Sequence, residues 1–147
     1  MSQTKSMVIR PARGLSGSVR LPGDKSISHR YAMLGGIAEG TTRLENFSTG
    51  ADCASTLACL RSLGVEWERR GNSVTIHGNG PRLETPKTFL DCGNSGSTIR
   101  MLSGILAAQD FSCELRGDES LSRRPMGGMG ALERERKAWG QQDGRRK

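Results

Sequence analysis

"LPGDKSISHR", residues 21–30, joins a short run that alternates like a strand to a run with helical spacing. Its core, "GDKSISHR" at residues 23–30, has a counterpart in "GNSGSTIR" at residues 93–100. Each begins with glycine, continues with Asp24 or Asn94, has a hydroxyl residue in its middle and ends in Arg30 or Arg100. Each is followed by Met-Leu and then by Gly-Ile. The two stretches mark an internal repeat, and such a period means one supersecondary unit used twice.

Working outward from the first copy, residues 16–21 read as a strand ending at Pro22-Gly23. Ser28 suits a helix N-cap, and Tyr31, Ala32, Leu34, Ile37 and Ala38 have helical spacing up to Gly40. Residues 41–47 read as a strand. Asp52 suits the cap of a second helix, whose Leu57, Leu60 and Leu63 share a side and whose natural C′ residue is Gly64. Residues 65–69 and 73–77 flank Arg70-Gly71-Asn72 as a hairpin. The order is β-α-β-α-β-β. It restarts with a strand at 88–90, a helix carrying Ile99, Leu102, Ile105 and Leu106, and a strand at 112–116. The polar loop "GDESLSRRPM" then leads to Pro125, a good first helical position.

The expected class is therefore α/β, with one complete repeat at about residues 14–80 and an incomplete one at about 86–126. Residues 127–147, "GGMGALERERKAWGQQDGRRK", have three glycines in four residues and no apolar period. They are expected to be disordered or non-native.

The 147 residues suit one domain or a piece of a larger one. Only 34% are hydrophobic, and 20 glycines make up the shortfall, so the core is modest. A net charge of +7 favours anionic partners. Aromatics are 4% and the basic residues are scattered, which argues against nucleic acid. Cys53, Cys59, Cys92 and Cys113 form no CxxC pair, and His29 and His77 stand far apart. No metal site is indicated, and the cysteines read as small buried residues of a reducing compartment. No secretory h-region or membrane-length apolar run occurs, so a soluble, cytoplasmic protein is expected.

The glycine-led turns open helices, and a helix N-terminus attracts phosphate or carboxylate. In the first turn Gly23 allows close backbone approach, Lys25 adds a charge, Ser26 a hydroxyl and Arg30 a bidentate fork. A capped helix with solvated lysine and arginine is the plainer alternative. A nucleotide P-loop is excluded, since Asp24 separates Gly23 from Lys25. The second turn has no lysine, but Asn94, Ser95, Gly96 and Ser97 are small and rich in N–H donors. Arg123 and Arg124 stand just before Pro125, where a helix start would repel them unless an anion lay between. His29 reads as structural, and Asp118 and Glu119 as caps or counter-charges for the arginines.

"LPGDKSISHR", "DCGNSGSTIRML" and "GDESLSRRPM" together resemble the N-terminal part of the 5-enolpyruvylshikimate-3-phosphate synthase family, in order and spacing over residues 14–126. The resemblance implies an inverted α/β barrel of two lobes made of β-α-β-α-β-β units. It implies transfer of the enolpyruvyl group from phosphoenolpyruvate to the 5-hydroxyl of shikimate 3-phosphate with release of phosphate, by a monomer, with no cofactor or metal and no nucleic-acid or membrane partner. It implies that Lys25 is catalytic and touches both substrates. Ser26 and Arg30 would hold shikimate 3-phosphate, and Asn94, Gly96 and Arg124 would surround phosphoenolpyruvate. The sister UDP-N-acetylglucosamine 1-carboxyvinyltransferases fit less well: Ser26 stands where they have asparagine, and Glu119 near where they have a loop cysteine. The second-lobe residues of the family have no counterpart here, and residues 127–147 do not continue its pattern. A frameshifted, catalytically silent anion-binding fragment is thus the competing expectation.

Overall fold

The computed structural model describes residues 7–125. The expectation for residues 127–147 lies outside that range, as does the helix expected from Pro125 beyond its first residue. Helices α1 (Lys25–Ile37), α2 (Ala51–Ser62) and α3 (Gly96–Leu106) are joined by strands β1 (Glu39–Leu44), β2 (Glu66–Arg70), β3 (Ser73–Asn79), β4 (Leu90–Asp91) and β5 (Leu115–Arg116), with a short α4 (Glu119–Ser122) at the end. One sheet has the order β1-β3-β2, with both pairings antiparallel; β4 and β5 pair in parallel across α3. This is the α/β alternation read from the repeat, with one element missing. Residues 16–21 form no strand. Val19 and Leu21 are exposed, Gly17 has a positive φ of 137°, and among the described residues no neighbouring strand supplies a ladder. An extended run without such a partner has nowhere to place its backbone hydrogen bonds except water.

α2 lies at the centre. Its Cys53, Leu57 and Leu60 pack with Val65, just before β2, and with Val74 and Ile76 of β3, while Cys59 and Leu63 join Leu90, Cys92, Leu102, Leu106 and Leu121 on the other side. Leu57, Leu60 and Leu63 are all at most 1% exposed, but they do not share a side as expected, since Leu63 at the helix end turns to the second cluster. Gly64, at φ 85°, stops the helix in the left-handed region. Its start differs from expectation. Gly50 is the N-cap, and Asp52 lies inside the first turn.

α1 buries a different face from the one its apolar residues suggest. Tyr31 and Leu34 are more than half exposed, whereas Ser28, His29, Ala32, Met33, Gly35 and Gly36 are inside. Its small residues let it approach closely: a Cβ on Gly36 would come 3.1 Å from Leu60, and one on Gly35 3.2 Å from Thr42. Gly78 completes the contact, since its missing Cβ would fall on the carbonyls of Gly35 and Ala38. Cys53, Cys59 and Cys92 are buried as expected, and Cys113 is partly so.

Candidate functional site

Asp24 caps α1 by accepting the Ile27 N–H at 2.7 Å, so the helix begins at Lys25, one turn earlier than a cap at Ser28 would allow. Ser28 has another task. Its hydroxyl donates to the Asp24 carbonyl at 2.7 Å and accepts the Ser48 N–H at 2.9 Å. Gly23 packs differently from expectation. The side of its backbone that a Cβ would occupy is filled by the Asn46 carbonyl, so its close approach is to its own chain.

Lys25 Nζ lies 3.0 Å from Asp52 Oδ2, in the first turn of α2. The Cys53 thiol donates to the Lys25 carbonyl at 3.6 Å, setting the two first turns side by side. α3 begins beside them: Ser95 caps it by accepting the Thr98 N–H at 3.1 Å, and the Thr98 hydroxyl reaches the Asp52 carbonyl at 3.4 Å. Three helix starts are thereby gathered. Their unsatisfied N–H groups and positive dipole ends act together, a field that attracts anions.

Around Gly96, the first residue of α3, stand two guanidinium groups. A Cβ there would lie 3.3 Å from Arg124 Nη1 and 3.9 Å from Arg100 Nη1. Arg124 Nη2 donates to Asn94 Oδ1 at 2.6 Å, and Arg100 Nη2 to the Pro125 carbonyl at 3.2 Å. Asn94 Nδ2 in turn donates to Asp118, which also caps α4 by accepting the Leu121 N–H at 2.8 Å. The Leu121 N–H and the Asn94 amide hold the Asp118 carboxyl below its usual range. Glu119 pairs with Arg123. Arg123 and Arg124 therefore follow a helix end, not a helix start, among the described residues. That position suits cations, so the expected conflict with the dipole does not arise.

The structure thus joins Asn94, Gly96 and Arg124 directly and sets Lys25 beside Asp52. The two groups connect through Asp52 and Thr98, without a direct hydrogen bond between Lys25 and Arg124. Ser26 and Arg30 are exposed on α1. Two residues went unassigned in the sequence. Asp52 reads in sequence as a cap, and its pairing with a lysine 27 positions away carries no local signal. Arg100 did carry one, since it ends the second copy where Arg30 ends the first. His29 is fully buried, as a structural reading requires, and its Nδ1 lies 2.7 Å from Thr56 Oγ1. Among the described residues no cluster of three His, Cys, Asp or Glu is placed to hold a metal, and no helix is long and apolar enough to cross a membrane.

A family model described as EPSP synthase (3-phosphoshikimate 1-carboxyvinyltransferase) matches residues 9–131. A 3-phosphoshikimate 1-carboxyvinyltransferase of Solibacter usitatus is 61% identical over 119 residues, which cover 80% of this chain and 28% of that protein. One from Koribacter versatilis is 59% identical over 123 residues, covering 83% and 29%. Among solved structures, an EPSP synthase from Acinetobacter baumannii superposes with a TM-score of 0.76 at 47% identity, over 80% of this chain and 27% of that one. The chain spans under a third of the length of the relatives it matches.

Proposed function

The chain belongs to the EPSP synthase family, and on that premise we propose that it carries one half of the site for enolpyruvyl transfer from phosphoenolpyruvate to the 5-hydroxyl of shikimate 3-phosphate. The observation that supports this most is the gathering of three helix starts with Lys25 on one side and Arg100 and Arg124 on the other. Both substrates are polyanions, and fixed positive charge offsets their repulsion and that of the tetrahedral intermediate between them. In this reading Lys25, Ser26 and Arg30 hold shikimate 3-phosphate, and Lys25, Asn94, Gly96 and Arg124 hold phosphoenolpyruvate. The Lys25–Asp52 pair is exposed, with Lys25 at 55%. Such a pair contributes at most about 1 kcal/mol, so Lys25 exchanges Asp52 for a substrate oxygen at little cost. The two-lobed barrel, a boundary at residue 126 between its N-terminal part and an atypical tail, and a cytoplasmic location belong to the same proposal.

The proposed roles call for both halves of a cleft to close on the substrates, and positioning is worth up to about 7–11 kcal/mol. The purified chain is therefore expected to bind shikimate 3-phosphate weakly and to release no phosphate from the substrate pair at an enzyme-like rate of about 1 per second. Lys25→Ala should weaken binding at least about tenfold, as loss of a charge-assisted hydrogen bond does. Titration calorimetry and a phosphate-release assay check both. Binding that Lys25→Ala leaves unchanged would remove the lysine from the site.

A further inference from the structure

One helical turn beneath the candidate site runs a line of buried polar groups. His29 lies four residues after Lys25 on α1, and Thr56 four residues after Asp52 on α2. Residues at that spacing stack on one helix face. α1 and α2 therefore meet in two rungs: Lys25 Nζ to Asp52 Oδ2 at 3.0 Å, and below it His29 Nδ1 to Thr56 Oγ1 at 2.7 Å. Thr98 of α3 closes both rungs. Its Oγ1 is 2.8 Å from Thr56 Oγ1, 3.4 Å from the Asp52 carbonyl and 2.7 Å from Oγ of Ser95, the cap of α3. His29, Thr56, Ser95 and Thr98 are each 0% exposed.

Counting protons gives the line a direction. His29 Nε2 has no partner. If the ring proton sits on Nδ1, His29 donates to Thr56 and Thr56 to Thr98, whose single proton is shared between the Asp52 carbonyl and Ser95 Oγ, and Nε2 is merely an empty acceptor. The reverse order leaves a buried N–H without an acceptor, the rarer and costlier defect. Replacing both partners of such a contact by apolar groups of the same shape can be nearly neutral for stability. What hydroxyls add is register, because contacts of 2.7–2.8 Å hold at one relative height of the helices only.

We propose that His29, Thr56 and Thr98 are positioning residues that hold the first turn of α1 at one height against the first turn of α3, so that Lys25 and Gly96 face the same bound anion. The last clause rests on the anion-site reading above; the register itself does not.

The test uses the full 147-residue chain. Nitrogen-15 NMR of the wild-type chain should find the His29 ring protonated on Nδ1 at neutral pH; a proton on Nε2 reverses the line and overturns the assignment. Amide hydrogen exchange should quicken about tenfold at Ser28 and Ile99 in Thr56→Val, the effect of one buried hydrogen bond. Exchange at Val74 and Ile76 in the sheet should not change, and Thr56→Ser should restore the wild-type pattern. Equal exchange in wild type and Thr56→Val, or uniform quickening that includes the sheet, overturns the positioning role. Phosphoenolpyruvate that shifts neither the Lys25 nor the Gly96 amide of the wild-type chain would sink the anion-site reading and leave the register to be judged on the first two measurements.

Discussion

His29 is enclosed where α1, α2 and α3 meet, and burial lowers its pKa from 6.5, against the opposing pull of Asp52 and with smaller help from Lys25 and Arg30. An unfolded chain exposes the ring. Between the folded and unfolded values the unfolded state binds more protons, so stability is lost as pH falls from 6.5 toward the folded value. The urea midpoint should therefore be lower at about pH 5 than at about pH 7, and His29→Asn should flatten that part of the profile. Two glycines make a contrasting pair. A methyl on Gly96 meets the movable Arg124 guanidinium at 3.3 Å. Gly96→Ala should leave the fold intact and weaken phosphoenolpyruvate several-fold, measured by titration. A methyl on Gly78 meets the backbone carbonyls of Gly35 and Ala38, which cannot yield. Gly78→Ala should cost about 3 kcal/mol or more in a denaturant melt.

At the scale of elements, α2 was readable because one signal dominates it. Its leucines recur at helical spacing and are all buried, and Gly64 ends it. α1 misled because two signals compete. Ile27, Tyr31 and Leu34 point outward, while its glycines, Met33 and His29 face the core. Close approach through small residues leaves no hydrophobic period to detect. The start of α3 was legible from composition, and its cap is testable. Ser95 accepts from the Thr98 N–H and its hydroxyl together. Ser95→Ala should cost about 1–2 kcal/mol by chemical denaturation, toward the upper end for a cap because a buried hydroxyl also loses its acceptor. The turn "GDESLSRRPM" hides a four-residue helix capped by Asp118. So short a helix has no periodicity to read, and it reverses the electrostatic setting of Arg123 and Arg124.

At the scale of the whole molecule, large apolar side chains among the described residues lie open along α1 and in the segment before it, with Phe89 exposed besides. Ile27, Tyr31 and Leu34 form a stripe along α1 at helical spacing, each more than half exposed, and Met7, Val8, Ile9, Leu15, Val19 and Leu21 are exposed in the extended segment before it. Contiguous patches of this kind are rare on monomeric soluble proteins. The chain should bind the dye ANS in its folded state, and Ile27→Lys combined with Leu34→Glu should reduce that fluorescence severalfold without lowering helix content by circular dichroism. Unchanged dye binding in the double variant would show that the stripe is not the open surface.

Residue types and local spacing were enough for the repeat, the α/β class, the central helix and the two glycine-led helix starts, because each depends on neighbours within a few positions. The resemblance of three short motifs added the family, which the comparisons bear out. Only the tertiary structure decided which face α1 buries, that residues 16–21 stay unpaired, that Gly23 packs on Asn46, and that Asp52 holds Lys25. Each of these joins groups distant in the chain. A helix start announces its N–H groups in its own sequence, but what it stands next to depends on how glycines, hydroxyls and one buried histidine let three helices come together.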